Sequence, residues 1–393
     1  MSASSAAFDG STEVALQIGA LALLFVAGSV TTGKRFVQAP IYCQSWIYAA
    51  LVLLFFCASF LSSIFAEDKA LSVSYVCGIA VAFLICGAVW NLSLHVISRG
   101  LKAYAVMVSV CAAGIWSLTP NVGHRFGGVM HPNYWGLLCL SVFCLAALFQ
   151  NIAVRSTVQI VSIAVVLAAQ SRSALLSILA ASSVFGAIWL KTVRIRKEFK
   201  LMIVAAAGLG SFVFAVFAYQ ELYDIVSNVF MINDVHRGAG TGFTGRTALW
   251  RAGLEVFASH PWFGVGARME SYFISVAGFS HAHNGYINML VQFGVIGSGF
   301  FIALSLLATK RLFKLAVCRA PGANVGIAFL CGYAVGAIFE PRLINIGNSV
   351  SLIMIMFLLR PFESRPPNVP KTRLLQRVKI PRGVQPRYAL HGS

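Results

Sequence analysis

Charged residues are scarce in this sequence of 393 residues, since they make up 11% of the chain and only 12 residues are acidic. A soluble domain typically contains about 25% charged residues, so the composition excludes an ordinary water-soluble fold. The sequence instead has 58% hydrophobic residues and a mean hydropathy of +0.80. These values indicate a chain that lies largely within a membrane.

The residue groupings that form disulfides or metal sites are also missing. The nine cysteines lie in or beside apolar segments, none lies in residues 220–285, and no C-x-x-C motif occurs. We therefore expect free thiols that pack as small hydrophobic side chains. His281 and His283 could begin a metal site, but no cysteine or carboxylate lies close by in sequence to complete one. We predict no metal and no other cofactor.

Apolar segments of about 20 residues, the length that crosses a bilayer as a helix, recur along the chain. They predict an all-α, polytopic integral membrane protein with about eleven (eleven or twelve) transmembrane helices and one large outer loop. Helices one to eight would occupy residues 1–219, the loop 220–285, helices nine to eleven 286–359, and a basic disordered tail 360–393. The predicted spans are residues 14–31, 46–66, 73–97, 103–119, 134–154, 156–170, 174–190, 201–219, 286–308, 323–339 and 343–359.

The distribution of basic residues orients these spans. If Lys34 and Arg35 face the cytoplasm, alternation of the spans places 22 lysines and arginines on that side and 8 on the other. This positive-inside bias predicts that the N-terminus and the loop lie outside and the C-terminus inside. The first span lacks the basic residues that precede a cleaved signal peptide, so we expect it to be retained. The isoelectric point near 9.9 then reflects contact with anionic membrane lipids rather than with nucleic acid.

A glycine-rich stretch, residues 238–250, has the spacing of a dinucleotide-binding turn and is one substitution from a phosphate-binding loop. Both interpretations require a preceding strand, and the second requires a lysine where Arg246 stands. We interpret the stretch instead as the start of an amphipathic helix over residues 247–258. Gly245 would then lie at a helix N-terminus, which attracts anions, and Arg246 would add a fork of donors suited to phosphate.

Other polar residues lie near the outer ends of the spans. Arg172 occupies a tight turn between spans six and seven, where it could bind a ligand or extend to the membrane interface. His283 and Asn284 lead directly into span nine, where a histidine could form a structural hydrogen bond or act as a general base. Gly294 and Gly297 in that span would allow close helix packing.

These residues resemble motifs of the bacterial O-antigen ligase and polymerase superfamily, which includes exopolysaccharide polymerases. The family pattern, a histidine and an asparagine followed by two spaced glycines, is matched by His283, Asn284, Gly294 and Gly297. Family members often have twelve spans and both ends in the cytoplasm, from which our count of eleven departs. The other resembling segments are residues 131–136, 171–173, 245–250 and 260–266.

The resemblance implies a glycosyltransferase that uses an undecaprenyl-diphosphate-linked sugar donor at the periplasmic face of the bacterial inner membrane. Arg172 and Arg246 would stabilise the leaving diphosphate in place of a metal ion. His283 would act as the base on the acceptor hydroxyl or as another donor to the diphosphate. Asn133 and Asn284 would orient groups in the cleft. The further predicted substrate-binding residues are Gly245, Arg268 and His281.

The sequence does not determine which acceptor receives the glycan. A polymerase transfers the growing chain to a new repeat unit, whereas a ligase transfers finished polymer to lipid A core, and we favour the polymerase. The partners implied are the lipid-linked oligosaccharide, the glycan or lipid A core acceptor, a chain-length regulator and a flippase. A polysaccharide transporter is the rival from another class, but it predicts inverted repeats and charges within the spans, and the spans between residues 14 and 119 carry almost none.

Overall fold

The computed structural model describes residues 46–90, 92–118, 132–202, 246–269, 282–341 and 343–359, and the single positions 205 and 209. These ranges contain no β-strand, which confirms the all-α prediction. The helices are α1 (Trp46–Ile64), α2 (Lys69–Val89), α3 (Leu94–Leu118), α4 (Pro132–Ala146), α5 (Ile152–Ala168), α6 (Arg172–Thr192), α7 (Arg246–Ser259), α8 (Gly285–Val317), α9 (Ala323–Gly336) and α10 (Ser349–Leu359).

Within the described residues, five helices are long and apolar enough to cross a membrane, namely α1, α2, α3, α6 and α8. The apolar helices α4, α5, α9 and α10 are shorter. The protein is therefore a multi-pass membrane protein, as predicted. The predicted span 14–31, most of the span 201–219 and the tail lie outside the described residues, so the total of eleven stays a prediction. The eight cysteines in the described ranges are free thiols, which confirms that expectation.

Several predicted spans are longer than the helices that form. The predicted span 343–359 contains a helix only from Ser349, because asparagine side chains bind the backbone before it. The Oδ1 atom of Asn345 accepts from the N–H of Gly347 at 3.1 Å, and Oδ1 of Asn348 accepts from the N–H of Val350 at 2.8 Å. Asparagine favours such turns and caps over helix interiors. Residues 337–341 and 343–348 consequently lie outside the helices, between α9 and α10.

Helix α4 lies at the centre of the bundle. Nearly all of its residues are buried, including Trp135 and Leu140, as expected for a helix that is apolar on every side. It packs against α3, α5, α6 and α9, while α8 packs against α1 and α10 against α2. Gly332 of α9 lies so close to α6 that an added Cβ would stand 2.7 Å from the Ser177 carbonyl oxygen. Small residues permit this approach of membrane helices.

Helix α8 is broken at Gly294, which has a φ of 62° and a ψ of −170°. The break frees the carbonyl groups of Val291 and Gln292, which in an intact helix accept from the N–H groups four residues later. Here the N–H groups of Val265 and Gly266 occupy these acceptors at 2.9 and 3.1 Å. Backbone groups of Val265 and Gly266 thus replace part of the helix ladder.

The backbone N–H groups that follow the break also form hydrogen bonds with this part of the chain. The N–H group of Val295 donates to the carbonyl of Pro261 at 2.8 Å, and that of Ile296 donates to the carbonyl of Trp262 at 3.2 Å. Residues 261–266, which we call the inserted segment, therefore complete the hydrogen bonding of the broken helix on both sides. Broken helices in membrane proteins require such pairing because unsatisfied backbone groups are costly there.

Candidate functional site

Arg172 is the first residue of α6 and follows the tight turn that the sequence predicted. Ser171 is the N-cap residue of α6 and is buried, as is Ser173, and their Oγ atoms lie 3.4 Å apart. The hydroxyl of Ser173 donates a hydrogen bond of 3.2 Å to Oε1 of Glu340. The start of α6 therefore contacts the connection between α9 and α10, 167 residues later in the chain.

Glu340 joins the two predicted arginines in one site. Its side chain is only 7% exposed. Burial lowers the pKa of Arg246, the charge of Glu340 raises that pKa in part, and the positive charge of Arg172 lowers it again. The guanidinium of Arg246 also lies 5.9 Å from the ring centroid of Phe339, within the range of a cation–π interaction. Two arginines and a buried carboxylate are thus close enough to interact electrostatically.

Helix α7 carries Arg246 at its first position, and its bounds, Arg246–Ser259, confirm the amphipathic helix predicted in the outer loop. It packs against the start of α8 at Gly253. An added Cβ at Gly253 would stand 2.7 Å from Cγ2 of Ile287 and 3.3 Å from Cβ of Ala282. Arg251, on the same helix, is exposed. This contact places α7 directly beside the segment that contains His283.

His283 is half-buried and has a φ of 48°. Asn284 follows it as the N-cap residue of α8, and its Oδ1 accepts from the N–H groups of Tyr286 and Ile287 at 3.0 and 3.1 Å. The N–H of Gly285 donates to the carbonyl of Ala337 at 2.8 Å. Asn284 therefore fixes the backbone of His283 through the cap, beside the connection that carries Glu340.

A buried amide, Asn288, strengthens this junction. Its Nδ2 donates to the carbonyl of Pro341 at 2.6 Å, and its Oδ1 accepts from the N–H of Ala282 at 3.2 Å. Because Ala282 precedes His283 and Pro341 follows Glu340, one side chain ties the two functional segments together. The segment that carries His283 is thus adjacent to the segment that carries Glu340, which in turn interacts with Ser173 and Arg246.

The remaining predicted residues lie around this site or outside the described chain. Asn133 is buried at the second position of α4. One turn later an added Cβ at Gly136 would overlap Ser171 and Ala174, so Asn133 lies at the same end of the bundle as Arg172. Arg268 lines a separate small cavity that reaches Gly285 and Pro341. His281 and Gly245 lie outside the described residues. In the ranges that the structure describes, no group of three His, Cys, Asp or Glu side chains could hold a metal ion.

Comparison with known proteins shows that part of the chain is similar to a protein family and to one curated relative. Residues 157–302 match the model of the O-antigen ligase family. The match supports the resemblance of this region to the O-antigen ligase and polymerase superfamily. The chain is also 31% identical over 112 residues to the exopolysaccharide production protein ExoQ of Rhizobium meliloti (strain 1021), an alignment that covers 25% of this chain and 24% of that relative. The alignment therefore spans about a quarter of that relative's length.

The O-antigen ligase region contains Arg172, Arg246 and His283, and it also contains the break at Gly294. Glu340 lies beyond its end, and sequence analysis did not identify Glu340 as a site residue. The available signal was an acidic residue at the end of an apolar segment, on the same predicted side of the membrane as the arginines. Its partners are distant in sequence, so only the fold shows that it meets them.

Replacing Glu340 with glutamine should destabilise the protein in buffer without phosphate and increase its stabilisation by pyrophosphate. Glutamine can keep the hydrogen bond from Ser173, but it removes the negative charge beside Arg246, so the folded state should lose about 1–3 kcal/mol. An added anion should restore part of this loss. Thermal unfolding of the detergent-solubilised protein, with and without pyrophosphate, measures both effects. Glu255→Gln, on the exposed side of α7, is the control, and equal behaviour of the two variants would contradict the account.

Proposed function

We propose that the protein is a membrane glycosyltransferase that transfers a glycan from undecaprenyl diphosphate to a carbohydrate hydroxyl at the periplasmic face of the bacterial inner membrane. The observation that carries the proposal is the grouping of Arg172, Arg246 and the buried Glu340 beside His283. A leaving diphosphate needs positive charge next to the breaking bond, and preorganised donors supply it most effectively. Three of these residues, Arg172, Arg246 and His283, also lie in the region that matches the O-antigen ligase family.

The reaction that we propose is a direct displacement. The oxygen of the acceptor hydroxyl attacks the anomeric carbon of the donor, and its proton passes to His283, which acts as general base. The bond between the anomeric carbon and the phosphate oxygen breaks, and its electron pair leaves with undecaprenyl diphosphate. Arg172 and Arg246 bind the developing charge without a metal ion. The anomeric configuration is inverted.

Glu340 would keep the two arginines in place before the substrate arrives. Its negative charge offsets the repulsion between the two positively charged arginines. The charge of Glu340 raises the pKa of Arg246, whereas the charge of Arg172 lowers it. Fixing the guanidinium groups in advance lowers the entropy lost when the diphosphate binds. The donor's diphosphate would then add its negative charge beside the arginines that Glu340 has positioned. We therefore assign Glu340 a positioning role.

Polymerisation of repeat units of a surface polysaccharide, an O-antigen or an exopolysaccharide, is the version of the reaction that we favour. The relative from Rhizobium meliloti is described as an exopolysaccharide production protein, which supports this class of product. Transfer of finished polymer to lipid A core is the second candidate, because the matching family model is described as O-antigen ligase. The two reactions leave different glycans when the enzyme fails.

A His283→Ala variant, restored to a strain that lacks the gene, should reproduce the defect of the deletion. A general base contributes about 10² to 10⁴ in rate, so its loss should abolish long chains while the protein still reaches the membrane. A polymerase defect leaves single repeat units, whereas a ligase defect leaves long chains on undecaprenyl diphosphate and a bare core. Gel profiles of the glycans distinguish these outcomes. A wild-type profile in the variant would contradict the role of His283.

The side of the membrane is tested by thiol labelling. Ser259 at the end of α7 and Cys318 after α8 are both exposed, and the charge distribution predicts that they lie on opposite sides. Ser259→Cys in a cysteine-free background should react with an impermeant reagent in intact spheroplasts. A variant that retains only Cys318 should react after lysis alone. The reverse pattern would move the site to the cytoplasmic face and overturn the proposal.

A further inference from the structure

Arg268 is distinct from Arg172 and Arg246, which we call the arginine pair. Several elements of the fold hold Arg268 in place. Its φ of 65° lies in the left-handed region, which non-glycine residues rarely adopt. Its N–H donates to Oε1 of Gln292 at 3.2 Å, and the N–H of Ala267 donates to Oγ of Ser72 at 2.8 Å. Strained residues of this kind cluster at functional sites, which makes Arg268 a candidate binding residue.

The side chain of Arg268 is oriented by the same helix that anchors its backbone. The guanidinium lies 5.2 Å from the ring centroid of Tyr75, and Tyr75 is three residues after Ser72, on the same face of α2. The hydroxyl of Tyr75 donates to the carbonyl of Ile344 at 3.4 Å. Stacking on an aromatic ring sets the plane of the guanidinium, whose fork of donors matches a carboxylate or a phosphate.

Arg268 lines a small cavity beside the segments that carry His283 and Glu340. Gln292 and Tyr75 also line this cavity, and Gly285 and Pro341 form part of its wall. Gly285 follows the His283–Asn284 pair, and Pro341 follows Glu340. The backbone next to the proposed base and next to the positioning carboxylate therefore forms part of the cavity wall.

We infer that Arg268, Tyr75 and Gln292 form a second oxyanion subsite, which binds a phosphate or carboxylate group carried by the acceptor glycan. The inference rests on the proposed transfer reaction, which brings two glycans to His283 from different sides. Because the proposed function assigns Arg172 and Arg246 to the diphosphate that leaves with the donor's lipid, we assign the cavity at Gly285 to the acceptor. In polymerisation the acceptor carries a diphosphate of its own, and an acidic sugar would present the same chemistry.

Titration of the full-length, detergent-solubilised protein with inorganic pyrophosphate tests the subsite directly. The wild-type protein should bind two equivalents of pyrophosphate. In Arg268→Gln the affinity for one of them should fall at least tenfold, so that one equivalent remains at concentrations that fill both wild-type sites. Arg246→Gln should lose the other equivalent. Arg251→Gln, from the exposed side of α7, is the matched control and should retain both.

The outcomes separate the subsite from the proposed function. Retention of both equivalents by Arg268→Gln, or an equal loss in Arg251→Gln, would overturn the subsite. An Arg268-dependent equivalent without an Arg246-dependent one would support the subsite and contradict the diphosphate site on which the proposed function depends.

Kinetics in proteoliposomes of zwitterionic lipid identify the source of the anion. The donor is a lipid-linked repeat unit that lacks the accepting hydroxyl group, so that it cannot serve as an acceptor. The acceptors are compared in pairs that differ in a single group, either the diphosphate or the carboxyl group. If the acceptor's diphosphate occupies the subsite, Arg268→Gln should raise the acceptor KM about tenfold, with kcat preserved, and only for diphosphate-linked acceptors. If an acidic sugar occupies it, the rise should persist with a neutral aglycone and disappear when the carboxyl group is reduced. A KM that is unchanged for every acceptor would overturn the inference.

Discussion

Replacement of Arg172 or Arg246 with lysine should abolish polysaccharide assembly, although each variant keeps its positive charge. Lysine offers a point charge without the planar fork that binds two phosphate oxygens at once. At Arg246 it would also lose the guanidinium contact with Phe339 and the geometry beside Glu340. Loss of one preorganised donor to a developing charge costs about 10² to 10³ in rate. The chain length of surface glycans in a complemented deletion strain measures the effect.

Arg251→Lys is the control for these variants, because Arg251 lies on the same helix as Arg246 but is exposed. It should support a glycan profile close to that of the wild type. Wild-type profiles in the double variant Arg172→Lys, Arg246→Lys would contradict a bidentate role and reduce the pair to a source of positive charge. Membrane extracts probed for the protein establish that each variant is produced.

Gly294→Ala should prevent the protein from folding to its native state. The φ of 62° at Gly294 lies in the left-handed region, and an added Cβ would overlap the carbonyl of Trp262 in the inserted segment. The backbone conformation and the overlap together should cost about 2–5 kcal/mol, a large part of the stability of a typical protein. Fluorescence-detected size-exclusion chromatography and thermal unfolding of the solubilised protein measure the loss.

Gly299→Ala is the matched control on the same helix. An added Cβ at Gly299 meets nothing within 4 Å, and alanine is favoured over glycine in a helix, so this variant should be at least as stable as the wild type. Gly264→Ala should behave like Gly294→Ala, because Gly264 has a φ of 71° and its Cβ would overlap the carbonyl of Val291. Equal thermal stability of Gly294→Ala and Gly299→Ala would contradict a stabilising role for the break at Gly294 and its hydrogen bonds to the inserted segment.

For the residues that the structure describes, the sequence predicts the apolar helices because membrane spans are recognised by a local property, the length of an apolar segment. It also predicts the helix that begins at Arg246, from the amphipathic pattern that follows the glycines. Span ends are predicted less well where polar side chains bind the backbone. Asn151, for example, lies inside the predicted span 134–154, but its Oδ1 accepts from the N–H of Ala153 at 2.9 Å and thereby caps α5.

The arrangement of the site depends on contacts between distant segments, which a single sequence does not reveal. We interpreted Gly294 as a residue for close helix packing, but in the structure it breaks the helix and admits the inserted segment. The partners in that exchange are about 30 residues apart, and no local pattern specifies which carbonyl meets which N–H. Glu340 was missed for the same reason, since its neighbours Ser173 and Arg246 belong to other helices.

Transfer by the purified full-length protein in proteoliposomes, with undecaprenyl-diphosphate-linked repeat units as the only substrate and EDTA present, tests the central claim most directly. The account predicts that the wild-type protein forms a ladder of longer chains and releases one undecaprenyl diphosphate for each bond formed. Arg246→Lys and His283→Ala should form no ladder, whereas Arg251→Lys should match the wild type. Absence of any ladder with the wild-type protein, or equal ladders with Arg246→Lys and His283→Ala, would contradict it.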